Sequence, residues 1–268
     1  MKLVRDISIT SMRCRSVSPW HPDMLFTDGA QGAWLDPSDP ATVFQDAAAT
    51  IPATTVGDPV GCVLDKSDQG HHAVQPVIAN RPTLQVDGEG RAFLRFNGLN
   101  TGLTIAAFAA LSDKVQIIAG LRKTSDSAIA ILAEFGVQMP HGAFYLTAPH
   151  TVGPSYGMAV RGHGAIRAFH YADPAVTAPV TSVVSLIGDI AASAIALRVD
   201  GAQVAQSALS LDGGSFGTWP LDIGRRGNGT LHLDGDLYGL MLRFGAVQGG
   251  NALPRAEQWM ATKAGVTL

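Results

Sequence analysis

Charged side chains are few in this 268-residue chain: 15% of positions are Asp, Glu, Lys or Arg, against about a quarter in ordinary soluble domains. Such a composition excludes a charge-solvated, disordered polymer. The net charge of -3 supplies no basic field for nucleic acid, although the first nineteen residues carry Lys2, Arg5, Arg13 and Arg15 against Asp6 alone. Cysteine is confined to Cys14 and Cys62. With no CxxC pair and no zinc-ligand spacing, they read as reduced packing residues rather than a disulfide framework. No apolar run reaches the roughly 18 residues of a membrane span. Charges break "MKLVRDISITSMRCRSV" before a signal-peptide core can form. The expectation is a soluble protein with no secretory route, no membrane insertion and no nucleic-acid partner.

Glycine and proline, at 30 and 15 residues, point to many tight turns rather than long helices. Between the turns, apolar residues alternate with a period of two. "AIALRV" aligns Ile195, Leu197 and Val199, and the Asp200-Gly201 pair after it has hairpin chemistry leading into "AQVAQSAL". "VQIIAGLR" puts Val115, Ile117, Ala119 and Leu121 on one face, "AFLRF" pairs Leu94 with Phe96, and "LYGLMLRF" aligns Tyr238, Leu240, Leu242 and Phe244. "ILAEF" and "GAFYLTA" read as further strands.

Helical signals are few. "LPRAEQWMATKAG" has Pro254 at a first position, Ala256, Trp259 and Met260 at helical spacing, Lys263 near the negative end and Gly265 as a stop. Thr104–Leu111, "TIAAFAAL", fits another helical turn or two, one of several readings its alanines permit. The pattern predicts an all-β antiparallel sandwich or jelly roll with one short carboxy-terminal helix. Residues 26–85 hold Pro37, Pro40, Pro52 and Pro59, too many for a central strand, and read as an extended, turn-rich arm packed on the sandwich. The sandwich proper spans 86–268.

The run "GAWLDPSDPATVFQDAAATIPATTVGDPVGCVLDKSDQGHHAVQPVIANRPTL", residues 32–84, resembles a segment of bacteriophage and prophage virion proteins with a laminin-G-like, concanavalin-A-like domain. "FLRFNGLNTGLTI" is similar to the opening strand of that family, "LRVDGAQVAQ" to its central hairpin, "LDIGRRGNGTLHLDGDLYGLMLRFGAV" to its closing strands and "LPRAEQWMATKAGVTL" to its terminal helix. The likeness runs from about residue 25 onward. It implies two curved antiparallel sheets and a virion component at the tail tip, in a fibre or in the baseplate, assembled in the host cytoplasm beside other virion proteins. Residues 1–25 are then the attachment segment. A homo-oligomer, a trimer in that setting, and a host-surface glycan as partner are also implied.

The fold does not select a function, so each polar cluster is weighed by its chemistry. In "DKSDQGHHAVQ", Asp65, Ser67 and Asp68 offer oxygens that a calcium ion would accept. The resembled family has a D-x-S-G-x-G-x-x-A turn here, with Asp68 in place of its first glycine, and on that reading Asp65 shapes a turn. Asp65 therefore stands as turn former or calcium ligand; no other cofactor is indicated. Adjacent His71 and His72 point to opposite faces of a strand and cannot share one ion without a bend.

"GPSYG" around Ser155 and "GGSFG" around Ser215 satisfy G-x-S-x-G but lack the strand-to-helix elbow that makes such a serine nucleophilic. Glucanases of concanavalin-A-like fold use paired carboxylates and resemble an E-x-D-x-x-E strand. The only glutamates here, Glu89, Glu134 and Glu257, never form that pattern. Asp234 and Asp236 read as flanking a solvated turn or bulge at Gly235, and an aspartate pair from distant loops stays open. Arg225 and Arg226 in "GRRGNGT" suit phosphate, carboxylate or acidic sugar. Trp219, in a loop before "LDIG", suits sugar stacking. These features predict a non-enzymatic virion protein that binds host-surface carbohydrate, with a purely architectural decoration protein and a polysaccharide depolymerase as alternatives.

Overall fold

The computed structural model describes residues 20–245 and 251–268; Cys14 and the basic residues of the amino-terminal segment lie outside them. The first part of the chain supplies β1 (Gly32–Leu35), β2 (Val43–Phe44), β3 (Cys62–Val63), β4 (Ala73–Val74) and β5 (Thr83–Val86). Then come β6 (Ala92–Asn97), β7 (Leu103–Ala109), β8 (Lys114–Lys123), β9 (Ile131–Phe135), β10 (Ala143–Thr147) and β11 (Ser155–Arg161). The last are β12 (Arg167–Ala172), β13 (Val180–Asp189), β14 (Ala194–Val199), β15 (Ala202–Ser207), β16 (Thr218–Ile223), β17 (Asp234–Phe244) and helix α1 (Ala252–Ala264).

The strands form two antiparallel sheets, the jelly-roll sandwich that the alternation predicts. One sheet runs β15-β14-β13-β8-β17-β6-β5, with β1 also on β17. The eleven-residue β17 is long enough to pair β6 through Asp234–Leu237 and β1 through Leu240–Arg243. The other runs β12-β11-β10-β9-β16-β7-β4-β3-β2. The proline-rich segment is thus stitched into both sheets by strands of two to four residues. Short strands between prolines keep the ladder N–H groups that a longer run would lose.

Period-two alternation builds the core. Leu94, Phe96, Val115, Ile117, Ala119 and Leu121 of the first sheet meet Ile105, Phe135, Phe144, Leu146, Leu221 and Ile223 of the second. Phe108, Phe135, Phe144, Phe216 and Phe244 form its centre, with ring centroids 4.9–6.2 Å apart in tilted, stacked and edge-on pairs, the spacing at which aromatic quadrupoles attract. At the β14–β15 hairpin, φ is 48° at Asp200 and 77° at Gly201, the left-handed pair that a two-residue turn requires.

Two expectations fail. Thr104–Leu111 is strand β7 through Ala109, not helix; pairing with β16 and β4 overrides the weak preference of its alanines. Tyr238 does not join Leu240 in the core. The register shifts between Leu237 and Gly239, so Leu237 points inward while Tyr238 packs with Phe93 and Ala264 outside, the effect of a bulge on a period-two pattern.

Helix α1 covers the outer face of the eight-stranded sheet. Ala256, Met260 and Ala261 pack on Ile118, Val183 and Met241, and Trp259 meets Trp34 edge-on at 5.7 Å. Gly120 and Gly239 leave room for Met260; a Cβ on either would lie 3.0–3.1 Å from its side chain. The helix stops at Gly265, φ 72°, a left-handed cap. Buried Glu257 anchors it to Arg198 of β14 through Nε at 2.7 Å.

Candidate functional site

Among the described residues the nine-stranded sheet has no helix on its outer face, and there the alternation brings polar groups together. Because Ile105, Ala133, Phe135, Phe144, Leu221 and Ile223 point into the core, the residues between them point out. Register then sets Tyr145 of β10 beside Glu134 of β9, Glu134 beside Asp222 of β16, and Asp222 beside Thr104 of β7. A ribbon Tyr145–Glu134–Asp222–Thr104 crosses four strands. Directly opposed side chains on neighbouring strands sit about 5 Å apart at Cβ.

The β16–β17 loop folds over this ribbon. Arg226 Nε donates to Glu134 Oε1 at 3.1 Å, and the Gly227 amide donates to Oε2 at 3.2 Å. Thr104 Oγ1 donates to Asp222 Oδ1 at 2.7 Å and accepts from Arg225 Nη2 at 3.3 Å. Gly227 lies against Asp222 and Val137 so closely that a Cβ would collide with both. Glu134 and Asp222 are buried, at 0% and 3% exposure, while both arginines are half-buried. Burial raises the pKa of both carboxyls, opposed at Glu134 by the Arg226 charge and at Asp222 by the Thr104 hydrogen bond and Arg225. Burial also raises the Tyr145 phenol.

Beside Tyr145 the ribbon continues as imidazoles. Gly157 of β11 stands opposite His170 of β12, and its missing side chain leaves the space that the His150 ring occupies. The His150 and His170 rings lie 5.6 Å apart and nearly parallel, and His150 Nδ1 is 3.2 Å from Thr147 Oγ1. Burial, then the neighbouring His170, lowers the His150 pKa.

The structure brings Arg225 and Arg226 into this site and separates Trp219 from them. Trp219 is not in a loop but on β16, at the end opposite the arginines; its indole donates to the His141 carbonyl at 3.2 Å and packs on the core. Asp234 and Asp236 do not flank a solvated turn. They begin β17, and Asp236 is fully buried in a bidentate pair with Arg95, because β6 runs alongside and places Arg95 opposite.

Asp65 is a turn former. Its Oδ1 accepts the Trp34 and Ser67 amides at 2.8 and 2.9 Å, and its Oδ2 accepts Ser67 Oγ and the His71 amide at 2.7 and 3.0 Å. Four donors use the lone pairs a cation would need. His71 stacks on Phe108 at 4.0 Å, while His72 accepts the Asp65 amide at 3.0 Å. Among the described residues no three His, Cys, Asp or Glu side chains are grouped to hold a metal. Cys62 is a buried free thiol whose pKa burial raises to about 11, an inert packing group. Ser155 opens strand β11 and accepts the His150 and Thr151 amides, both at 3.2 Å, so it is not a nucleophile elbow.

Glu134, Asp222, Tyr145, His150 and His170 were not singled out by sequence reasoning. The signal for the first two was a lone acid within an apolar strand, in "ILAEF" and in "PLDIG".

No family model matches the chain, and no curated protein matches it either. Solved structures do resemble it. A sialidase of Trypanosoma rangeli, in complex with 2,3-difluoro-KDN, is similar over 91% of this chain and 34% of its own, with TM-score 0.56 and 14% identity. The binding domain of Paraclostridial Mosquitocidal Protein 1 is similar over 78% of this chain and 52% of its own, with TM-score 0.56 and 11% identity. The receptor binding domain of botulinum neurotoxin D is similar over 76% and 50%, with TM-score 0.53 and 9% identity. The chain thus matches between a third and about half of these proteins, and at such identities the likeness is one of fold.

Proposed function

We propose that the protein is a non-enzymatic glycan-binding module, and that it serves as a virion component at a phage tail tip, fibre or baseplate. The observation that carries the binding reading is the pair Arg225–Arg226, held on a sheet face without a helix among the described residues by buried Glu134 on Arg226 and by half-buried Thr104, itself bonded to buried Asp222, on Arg225. A guanidinium fixed by a buried partner, as Arg226 is by Glu134, loses less rotamer freedom when it donates to ligand oxygens. Beside them, Tyr145, His150 and His170 offer ring faces and hydrogen-bonding edges for a sugar. Likeness in fold to binding domains of toxins supports the same reading at the level of architecture. The virion role rests on the sequence resemblance of residues 32–84.

Hydrolysis is the second reading, since cross-strand Glu134 and Asp222 are the sort of carboxylate pair that cleaves glycosidic bonds. The loop closes on both carboxyls and Gly227 occupies the space above Asp222, so neither a water nor a glycosidic oxygen reaches them. They position the arginines.

The test is binding of the labelled protein to host cells and to an array of host-surface glycans. Binding that disappears when surface glycans are stripped, and that falls at least tenfold in Arg226→Ala with thermal stability nearly retained, is the expected result. Equal binding by wild type and Arg226→Ala would overturn the assignment of the site. Reducing ends released from any of these glycans would return the hydrolytic reading.

A further inference from the structure

The core-facing series of β8 runs Val115, Ile117, Ala119, Leu121 and then Lys123. Lys123 has 0% exposure, and its ammonium position is walled by the Tyr156 ring, whose centroid is 5.0 Å away. Its Nζ is 2.5 Å from Oδ1 of Asp126, yet the two atoms do not meet at hydrogen-bonding angles, and neither has another hydrogen-bond partner. A lysine ammonium has three donors to satisfy, so an ion pair is a poor occupant of this space. The contact is a close approach of amine to carboxyl without the alignment of a hydrogen bond.

We propose that Lys123 and Asp126 are joined by an intramolecular isopeptide bond. The amine attacks as its free base; an Nζ–Cγ bond forms, a Cγ–Oδ bond breaks, and the oxygen leaves as water with one proton from the amine and one from the carboxylic acid. No oxidant, reductant or cofactor enters. The product is a neutral amide, which removes the charge from the fully buried Lys123 end and from its partner Asp126. The Tyr156 ring walls the site, and burial raises the pKa of its hydroxyl, on which Asp200 and Asp126 also act electrostatically. Asp126 also accepts the Ala178 amide through Oδ2 at 2.7 Å and the Gly153 amide through its carbonyl at 3.0 Å. The crosslink would therefore tie the end of β8 to three loops at one rim of the sandwich.

The intact mass of the purified full chain tests it. The expected value is the sequence mass less one water molecule. Trypsin should leave Lys123 uncut, giving a peptide from Lys123 to Arg161 that is one water light and yields no fragments broken between Lys123 and Asp126. Lys123→Arg, which keeps the cation but cannot form this amide, should recover the full mass, as should Asp126→Ala. A wild-type chain at full mass, with normal cleavage after Lys123, overturns the proposal. So does a water loss that persists in Lys123→Arg, since that would mark dehydration at Asp126 alone. The wild-type peptide map decides the question even if both variants fail to fold.

Discussion

The two sheets differ in what covers their outer faces. The eight-stranded sheet is sealed by α1, which packs Met260 and Ala256 on Ile118, Val183 and Met241, so its central strands are buried on both sides. The nine-stranded sheet faces outward with Tyr145, Glu134, Asp222 and Thr104, covered, among the described residues, by a loop that brings two arginines. One face is closed by apolar area, which is non-directional and tolerant. The other is closed by directional hydrogen bonds that leave arginine donors at the surface. On the proposed function, stability and recognition fall on opposite outer faces of one sandwich.

Substitutions on each face should separate the two roles. Met260→Ala, in the fully buried helix interface, should cost about 2–5 kcal/mol in urea unfolding while glycan binding of the folded protein stays unchanged. A loss of affinity beside a small loss of stability would break the division. Glu134→Ala leaves Arg226 without its buried partner and should cost about 3 kcal/mol, together with glycan affinity; Glu134→Gln, which keeps the shape, should lose less stability. Gly157→Ala places a methyl where the His150 ring lies and should cost about 1–3 kcal/mol; an NMR spectrum in which His150 and His170 keep their wild-type shifts would contradict the placement.

Acid should act on the two roles in opposite directions. Glu134 and Asp222 have raised pKa values relative to ordinary values of 4.5 and 3.8. The folded state then binds protons more readily than the unfolded chain, so the stability these groups contribute is fully present below those ordinary values. It is lost as pH rises through the raised ones. Acidification through the raised values toward the ordinary ones should therefore stabilise the fold through Glu134 and Asp222. Affinity should fall over the same interval, because neutral Glu134 no longer holds Arg226 by charge. Asp46, lowered to about 2 by the Ile51 amide and by Thr50, works the other way, and its stabilising contribution is lost only as pH falls through that low value. Thermal unfolding against pH should show the mildly acidic gain in wild type and a flatter curve in Glu134→Gln/Asp222→Asn. The smallest effect is expected from calcium: with four donors already on Asp65, millimolar additions should leave the melting temperature where it was.

Much of the architecture was legible before folding was considered, and the site much less so. Alternation in "VQIIAGLR" and "AIALRV", the Asp200-Gly201 turn and the Gly265 stop are local signals, and each became the element they indicate. Thr104–Leu111 failed because alanine-rich segments have weak preferences and their partners decide. Asp236 failed for the same reason, its environment being set by Arg95 on another strand, 141 residues away.

Residue order alone determined the strand faces, the hairpin, the terminal helix and the presence of Arg225–Arg226, since periodicity and turn chemistry act over a few neighbours. Only tertiary pairing decided that Glu134 and Asp222, 88 positions apart by their numbers, lie side by side beneath those arginines. Register between strands is set by the packing of whole faces, which no single segment encodes.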